Sequence, residues 1–266
     1  MIFKNKLFIA LVLVLVVAGG ISFLFKQVNA FEKSDSKKVI DDLSFSNITI
    51  STDNAAVEIV PTTDSVATVE YTGKTKKNKK FIFEADVKGD TLSIQFKEKR
   101  KGFTQFGFSS LDLTLTVQLP KKQYERLQVE TDNGRIIADQ LQAQDIKLDT
   151  DNGRIELKQV TAKTVDVKTD NGKILLEDIE GKIKAKTDNG QVTLITNSLD
   201  QSIDLETDNG RIEIQTETEP TNAIIDAKTD NGQVELFGQE NKHVTFGKGE
   251  NLIKLRTDNG RITVTK

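Results

Sequence analysis

Seven aspartates, Asp132, Asp151, Asp170, Asp188, Asp208, Asp230 and Asp258, recur at intervals of 19, 19, 18, 20, 22 and 28 residues in a chain of 266. Carboxylates spaced so evenly can form a column, and oxygen donors in a column suit a divalent cation such as calcium. The plainer expectation is charge compensation. Three residues after each aspartate stands Arg135, Arg154, Lys173, Gln191, Arg211, Gln233 or Arg261, a mostly basic row beside the acidic one. Like charges about 4.8 Å apart repel by roughly 1 kcal/mol in water, so something must offset the column. Compensation by the basic row is favoured here, with a cation ladder as the alternative.

A second candidate is electrostatic. Residues 74–101 hold ten Lys or Arg against four Asp or Glu. Lys76, Lys77, Lys79, Lys80, Arg100 and Lys101 gather there, and Phe103, Phe106 and Phe108 follow at once. Basic and aromatic side chains together suit an anionic lipid surface or an anionic wall polymer. The competing expectation is a solvated hairpin tip with the phenylalanines folded over the end of the domain.

Catalytic chemistry is thin. The chain has no Cys and a single His, His243, in the connection between Phe237 and Leu252. That excludes thiol nucleophiles, thiolate metal sites and multi-His sites. Neither a Gly-x-Ser-x-Gly elbow nor a phosphate-cradling Gly loop is present. Paired carboxylates leave open a polysaccharide-acting β-helix enzyme. The aspartates, however, are equivalent members of a series, whereas an active site breaks symmetry at one place. No enzyme activity and no cofactor are expected. With Lys and Arg at 37 against Asp and Glu at 40, no global field points to nucleic acid.

Each aspartate belongs to a Thr-Asp-Asn-Gly copy, starting at Thr131, Thr150, Thr169, Thr187, Thr207, Thr229 and Thr257, with a worn copy at Thr52-Asp53-Asn54-Ala55. Four and two residues before each Thr, and five and seven after it, the side chain is always apolar, as in Ile146, Leu148, Ile155 and Leu157. Alternation with period two marks a strand with one buried face. Each repeat therefore reads as strand, Asp-Asn-Gly corner, strand. Asn and Gly suit the corner because both tolerate positive φ. A fixed period of about 19 residues is the mark of a repeat architecture. The uniform corners favour a β-solenoid, in which inward Thr and Asn rows bond along the stack. An antiparallel meander with Asn-Gly hairpin tips is the alternative.

At the front, residues 1–6 carry Lys4 and Lys6, and Leu7 to Phe25 is an uncharged apolar run. Nineteen residues of helix span about 28 Å, close to a bilayer's hydrocarbon core. A transmembrane anchor is favoured, with residues 1–6 cytoplasmic and the rest outside. A signal peptide cut after Ala30 is the rival, and would leave a secreted protein. Residues 26–40 read as a stalk and 41–266 as one all-β solenoid domain. Residues 66–129 form a hairpin-rich insertion or cap covering its open end.

The pattern apolar-x-apolar-x-Thr-x-Asn-Gly-x-Ile-x-Leu, preceded by Leu119-Pro120…Tyr124-x-x-Leu127-x-Val129, resembles the bacterial putative-adhesin family (LiaG-like) over residues 41–266. The resemblance implies β-strand repeats behind an N-terminal membrane segment and a link to the cell envelope and its stress responses. It carries over no catalytic residues. The expected protein is a non-enzymatic, membrane-tethered, extracytoplasmic scaffold. Its partners are envelope material, anionic lipid or a membrane protein.

Overall fold

The computed structural model describes residues 31–76, 79–99 and 112–266. The anchor at 7–25, the tail at 1–6, the cut after Ala30 and the candidates Lys77, Arg100, Lys101, Phe103, Phe106 and Phe108 lie outside the described residues. Among the described residues every regular element is a strand, and no helix is long and apolar enough to cross a membrane.

The fifteen strands form one continuous, β-solenoid-like sheet wrapped around a single core. The regular part comprises β2 (Asn47–Thr52), β3 (Ala56–Thr62), β8 (Gln123–Thr131), β9 (Ile136–Asp139), β10 (Gln142–Thr150), β11 (Ile155–Thr196), β12 (Ile203–Thr216), β13 (Ala223–Leu236) and β15 (Asn251–Thr265). Their pairing is parallel and in register: Thr52 with Thr131, Thr131 with Thr150, Thr150 with Thr169, Thr187 with Thr207. Parallel pairing makes the Asn-Gly corners bends in a coil, so the antiparallel meander is excluded. The apolar rows fill the interior, with Ile136, Ile155, Val192, Ile212 and Ile262 all at 0% exposure.

Three columns lock the corners. The asparagines form a side-chain ladder, each Nδ2 donating to the Oδ1 of the coil before it. It runs through Asn54, Asn133, Asn152, Asn171, Asn189, Asn209, Asn259 and Asn231, with spacings of 2.8–3.2 Å. This ladder is on the outer surface, not inward as the parity suggested; only the threonines point in. From Thr150 onward their hydroxyls donate to the corner carbonyl of the coil stacked against them, as Thr169 Oγ1 does to Gly153 O at 3.1 Å.

Glycine is needed there for a reason other than φ. Of the corner glycines only Gly260 has a positive φ, 159° and near extended backbone; Gly134, Gly153, Gly172, Gly190, Gly210 and Gly232 have none, nor has any corner asparagine. A Cβ on Gly190 would instead lie 1.7 Å from the carbonyl oxygen of Gly172, and the other corners are as tight. Left-handed backbone occurs at the opposite turns, on Gln140, Gln159 and Asp178 with φ of 51–53°. Those turns vary in residue type while repeating one conformation.

Stacking order departs from sequence order at the far end. The last strand, β15, is inserted between β12 and β13: Thr207 pairs with Thr257, and Thr257 with Thr229. The 28-residue interval supplies the chain for this reversal. Part of it is β14 (His243–Phe246), which runs antiparallel along Ala223–Asp226 and packs Phe246 against Phe237 at 5.8 Å.

At the near end the wall is extended by β6 (Thr91–Glu98) and β5 (Phe81–Lys88) beyond β2, and by β7 (Asp112–Pro120), β4 (Ala67–Lys76) and β1 (Phe31–Ile40) beyond β3. Two expected boundaries shift accordingly. Residues 31–40, read as part of a stalk, pair along their whole length with β4. Their polar composition conceals an edge strand whose contacts are made by backbone. Residues 123–129, assigned to the insertion, form a regular coil strand paired with β10 and β2.

Two expected outcomes follow from the corner geometry. Gly190→Ala should destabilise the fold by about 3 kcal/mol, because two backbones must part. Gly89→Ala, in a turn with open space around it, should cost no more than about 1–2 kcal/mol. Equal urea midpoints for the two variants would reject close approach as the reason for glycine. Asn189→Ala removes two ladder bonds and Asn231→Ala one. At about 0.5–1.5 kcal/mol per net hydrogen bond, the interior variant should lose roughly twice as much as the terminal one in the same titration.

Candidate functional site

The aspartates do stand in one outer column beside the asparagines, but their partners are not the expected ones. Arg135 pairs with Glu58 at 3.3 Å, Arg154 with Glu156 at 2.8 Å and Arg211 with Glu213 at 3.5 Å, while Arg261 donates to Gln233 at 2.7 Å. Two of the aspartates pair with the residue two places before them, Asp170 with Lys168 at 2.9 Å and Asp230 with Lys228 at 3.5 Å, whereas Asp132, Asp151 and Asp208 have an acidic residue there. Lys186 reaches Glu206 at 2.7 Å and Asp208 at 3.9 Å. The cause is strand parity. Residues two apart share a face, whereas the third residue after the aspartate has turned the corner onto the other wall. Hydrogen bonds and charge from Asp170 raise the pKa of Lys168, and the Glu206 hydrogen bond does the same for Lys186. Among the described residues no three His, Cys, Asp or Glu side chains are grouped as a metal-ligand set.

The inserted β15 gives the outer columns an order that the sequence order would not. Lys184 faces Asp204, Asp204 faces Lys254, and Lys254 faces Asp226. Arg256 lies 3.9 Å from both Asp204 and Asp226. Thr263 separates Glu213 from Glu235. In sequence order, Asp204 would face Asp226 and Glu213 would face Glu235. Each such contact costs roughly 1 kcal/mol or less in water.

The basic candidates collect at the near end, where the described chain begins. Phe31 pairs with Lys76 and Lys33 with Lys74, at the tip shared by β1 and β4. Lys79 N donates to Lys76 O, and Lys99 N donates to Lys80 O at 2.7 Å, bringing the tips of β5 and β6 to the same rim. Lys76, Lys80 and Lys99 are exposed there. Lys79 is not available, since it is ion-paired with Glu98 and both side chains are largely covered.

Beneath the rim is an aromatic cluster that sequence reading missed. Tyr71 stacks on Phe96 at 4.6 Å and meets Phe83 at 5.0 Å, while Phe81 stacks on Phe96 at 5.2 Å. The same-face spacing of Phe81 and Phe83 was the available signal. Lys38 of β1 lies 5.7 Å above Phe83, joining the two walls.

Another feature without a sequence forecast is Lys122, whose ammonium sits over the stacked rings of Phe45 and Tyr124 at 4.7 and 5.2 Å. It donates to the carbonyls of Phe45 and Leu43 at 2.6 and 2.9 Å, and burial lowers its pKa. The Tyr124 hydroxyl donates to Pro120 O at 2.8 Å, and burial pushes its pKa up to about 12. These contacts close the corner between β7 and β8, which gives the Leu-Pro…Tyr pattern a structural role. His243 is exposed on β14, its Nδ1 4.0 Å from Asp226.

Comparison with known proteins follows the same lines. No curated protein matches the chain. Among solved structures, a "putative cell adhesion protein" from Clostridium sporogenes ATCC 15579 is similar at 14% identity, covering 88% of this chain and 99% of that one, with a TM-score of 0.44. A "putative adhesin" from Bacteroides fragilis NCTC 9343 is similar at 14% identity, with coverages of 88% and 98% and a TM-score of 0.45. Another from Parabacteroides distasonis ATCC 8503 has 11% identity, coverages of 87% and 97%, and a TM-score of 0.29. The family model described as Toastrack DUF4097 matches twice, over residues 45–180 and 136–265, spanning the coils described above. The chain belongs to the Toastrack DUF4097 family.

Proposed function

We propose that the protein is a non-enzymatic, membrane-tethered scaffold of the cell envelope, held outside the cytoplasm, whose near-end rim rests on anionic lipid headgroups. The observation that carries this reading is the position of the rim. Lys76 pairs with Phe31, and only residues 26–30 separate Phe31 from the apolar run ending at Phe25. Five residues reach at most ~18 Å even when fully extended. An anchored chain therefore brings Lys76, Lys80 and Lys99 near the bilayer, where each basic side chain contributes about 1 kcal/mol of attraction to anionic lipid.

The remaining surface supports a scaffold more than a catalyst. Its asparagines bond along the stack, and many of its charged side chains are ion-paired within their own wall. An adhesin role fits a long regular wall held upright by its anchor.

Two measurements test the proposal. The full-length chain should sediment with membranes and be cut by protease added outside; recovery in the soluble cytoplasmic fraction would reject the tether. A fragment of residues 31–266, which retains β1, should bind phosphatidylglycerol vesicles at low salt. K76E/K80E/K99E should weaken that binding at least tenfold, at about 1 kcal/mol per lysine. Unchanged binding would reject the rim as the contact.

A further inference from the structure

The two ends of the stack are built differently. At the near end β2 and β3 are covered by β6 and β7. At the far end, among the described residues, nothing stacks over the coil formed by β13. Its first four residues pair with β14, Ala227 N donates to Lys242 O, and Leu236 turns back on Gln239. From Lys228 to Glu235 the backbone has, among the described residues, a strand partner on one side only, β15. Exposure agrees: Gly232 is exposed where the other corner glycines are buried or half-buried. Val234 rises to 6%, against 0–1% for its counterparts in the other coils. The asparagine ladder also stops here, with Asn231 donating to Asn259 and its Oδ1 accepting nothing.

A bare parallel coil edge is a template for another strand. We infer that it takes the same edge of a second copy of this chain, joined head to head about a two-fold axis beside the Asn231–Gly232 corner. That axis sets the two edges antiparallel and lays the wall before the corner in one copy against the wall after it in the other. The side chains then match themselves. Lys228 of each copy falls opposite Glu235 of the other, Asp230 opposite Gln233, and inward Thr229 opposite Val234.

Lys228 is free to serve in this way, since its side chain is 70% exposed and its partner Asp230 is 57% exposed. Such self-complementarity is what an isologous interface requires. The strand β15 would lie one layer in, and the antiparallel pairing would continue the solenoid wall across the dimer. The contact is small, so it is a weak one in dilute solution. Many copies presented on one surface would strengthen it through effective concentration.

The absence of cysteine allows a direct test of register. Full-length chain in detergent carrying Asp230→Cys, mixed with chain carrying Gln233→Cys, should form a disulfide dimer on mild oxidation. Asp230→Cys mixed with Lys184→Cys, on the side of the stack, should not. In sedimentation, Lys228→Glu and Glu235→Lys should each weaken self-association at least tenfold, because each sets like charges against one another. An equimolar mixture of the two variants should restore it, since both contacts become Glu–Lys again.

Self-association that resists both single variants, failure of the mixture to recover, or a monomeric wild type at every concentration would overturn the inference. So would capture of a different protein's strand by this edge in place of a second copy. None of these readouts depends on where the chain is located, so loss of the tether and loss of this contact are separable.

Discussion

The stack depends on how closely one corner approaches the next. Thr150 Oγ1 donates to the Gly134 carbonyl at 3.2 Å, and that carbonyl lies where a side chain on Gly153 would be. Three of the four residues in Thr-Asp-Asn-Gly therefore touch the neighbouring coil through their own atoms: a hydroxyl, an amide and the space of a missing methyl group. The worn copy obeys the same constraint. Each corner glycine is crowded by the corner stacked against it, and among the described residues no such corner precedes Ala55. Aspartate is the member whose side chain turns outward, at Asp170, Asp208 and Asp230 to a lysine.

The inserted last strand shows how electrostatics and topology combine. Apolar rows are alike in every coil, so burial alone does not choose between the two orders of β13 and β15. The outer columns differ between them. The observed order sets lysine between aspartates and threonine between glutamates, while the corner row sets Arg211 beside Arg261 with Gln233 outermost. The one like-charge contact that this order adds, Arg211 beside Arg261, is relieved on both sides, by Glu213 and by Gln233, while Lys228 beside Arg256 is common to both orders. Screened contacts of this kind are individually small, and here most act in one direction.

Such a wall has little chemistry to offer along its sides, because its polar groups are largely occupied with one another. What distinguishes this protein lies at its two ends. One end gathers lysines and an aromatic cluster where the described chain starts. The other leaves a coil edge without a strand partner among the described residues.

Sequence by itself determined the strands, their inward faces, the corners and the outer columns, because period-two burial and an identical tetrapeptide are local properties that survive without coordinates. It also marked the basic region, since charge is additive along a chain. Only the tertiary structure decided which coil lies against which, because parallel pairing is non-local and interchangeable coils have no sequence mark of their neighbour. It likewise decided that glycine serves close approach rather than left-handed backbone, that asparagine faces out, and that Lys79 is taken by Glu98. The strand at 31–40 was illegible for a related reason: an edge held by backbone hydrogen bonds needs no apolar alternation.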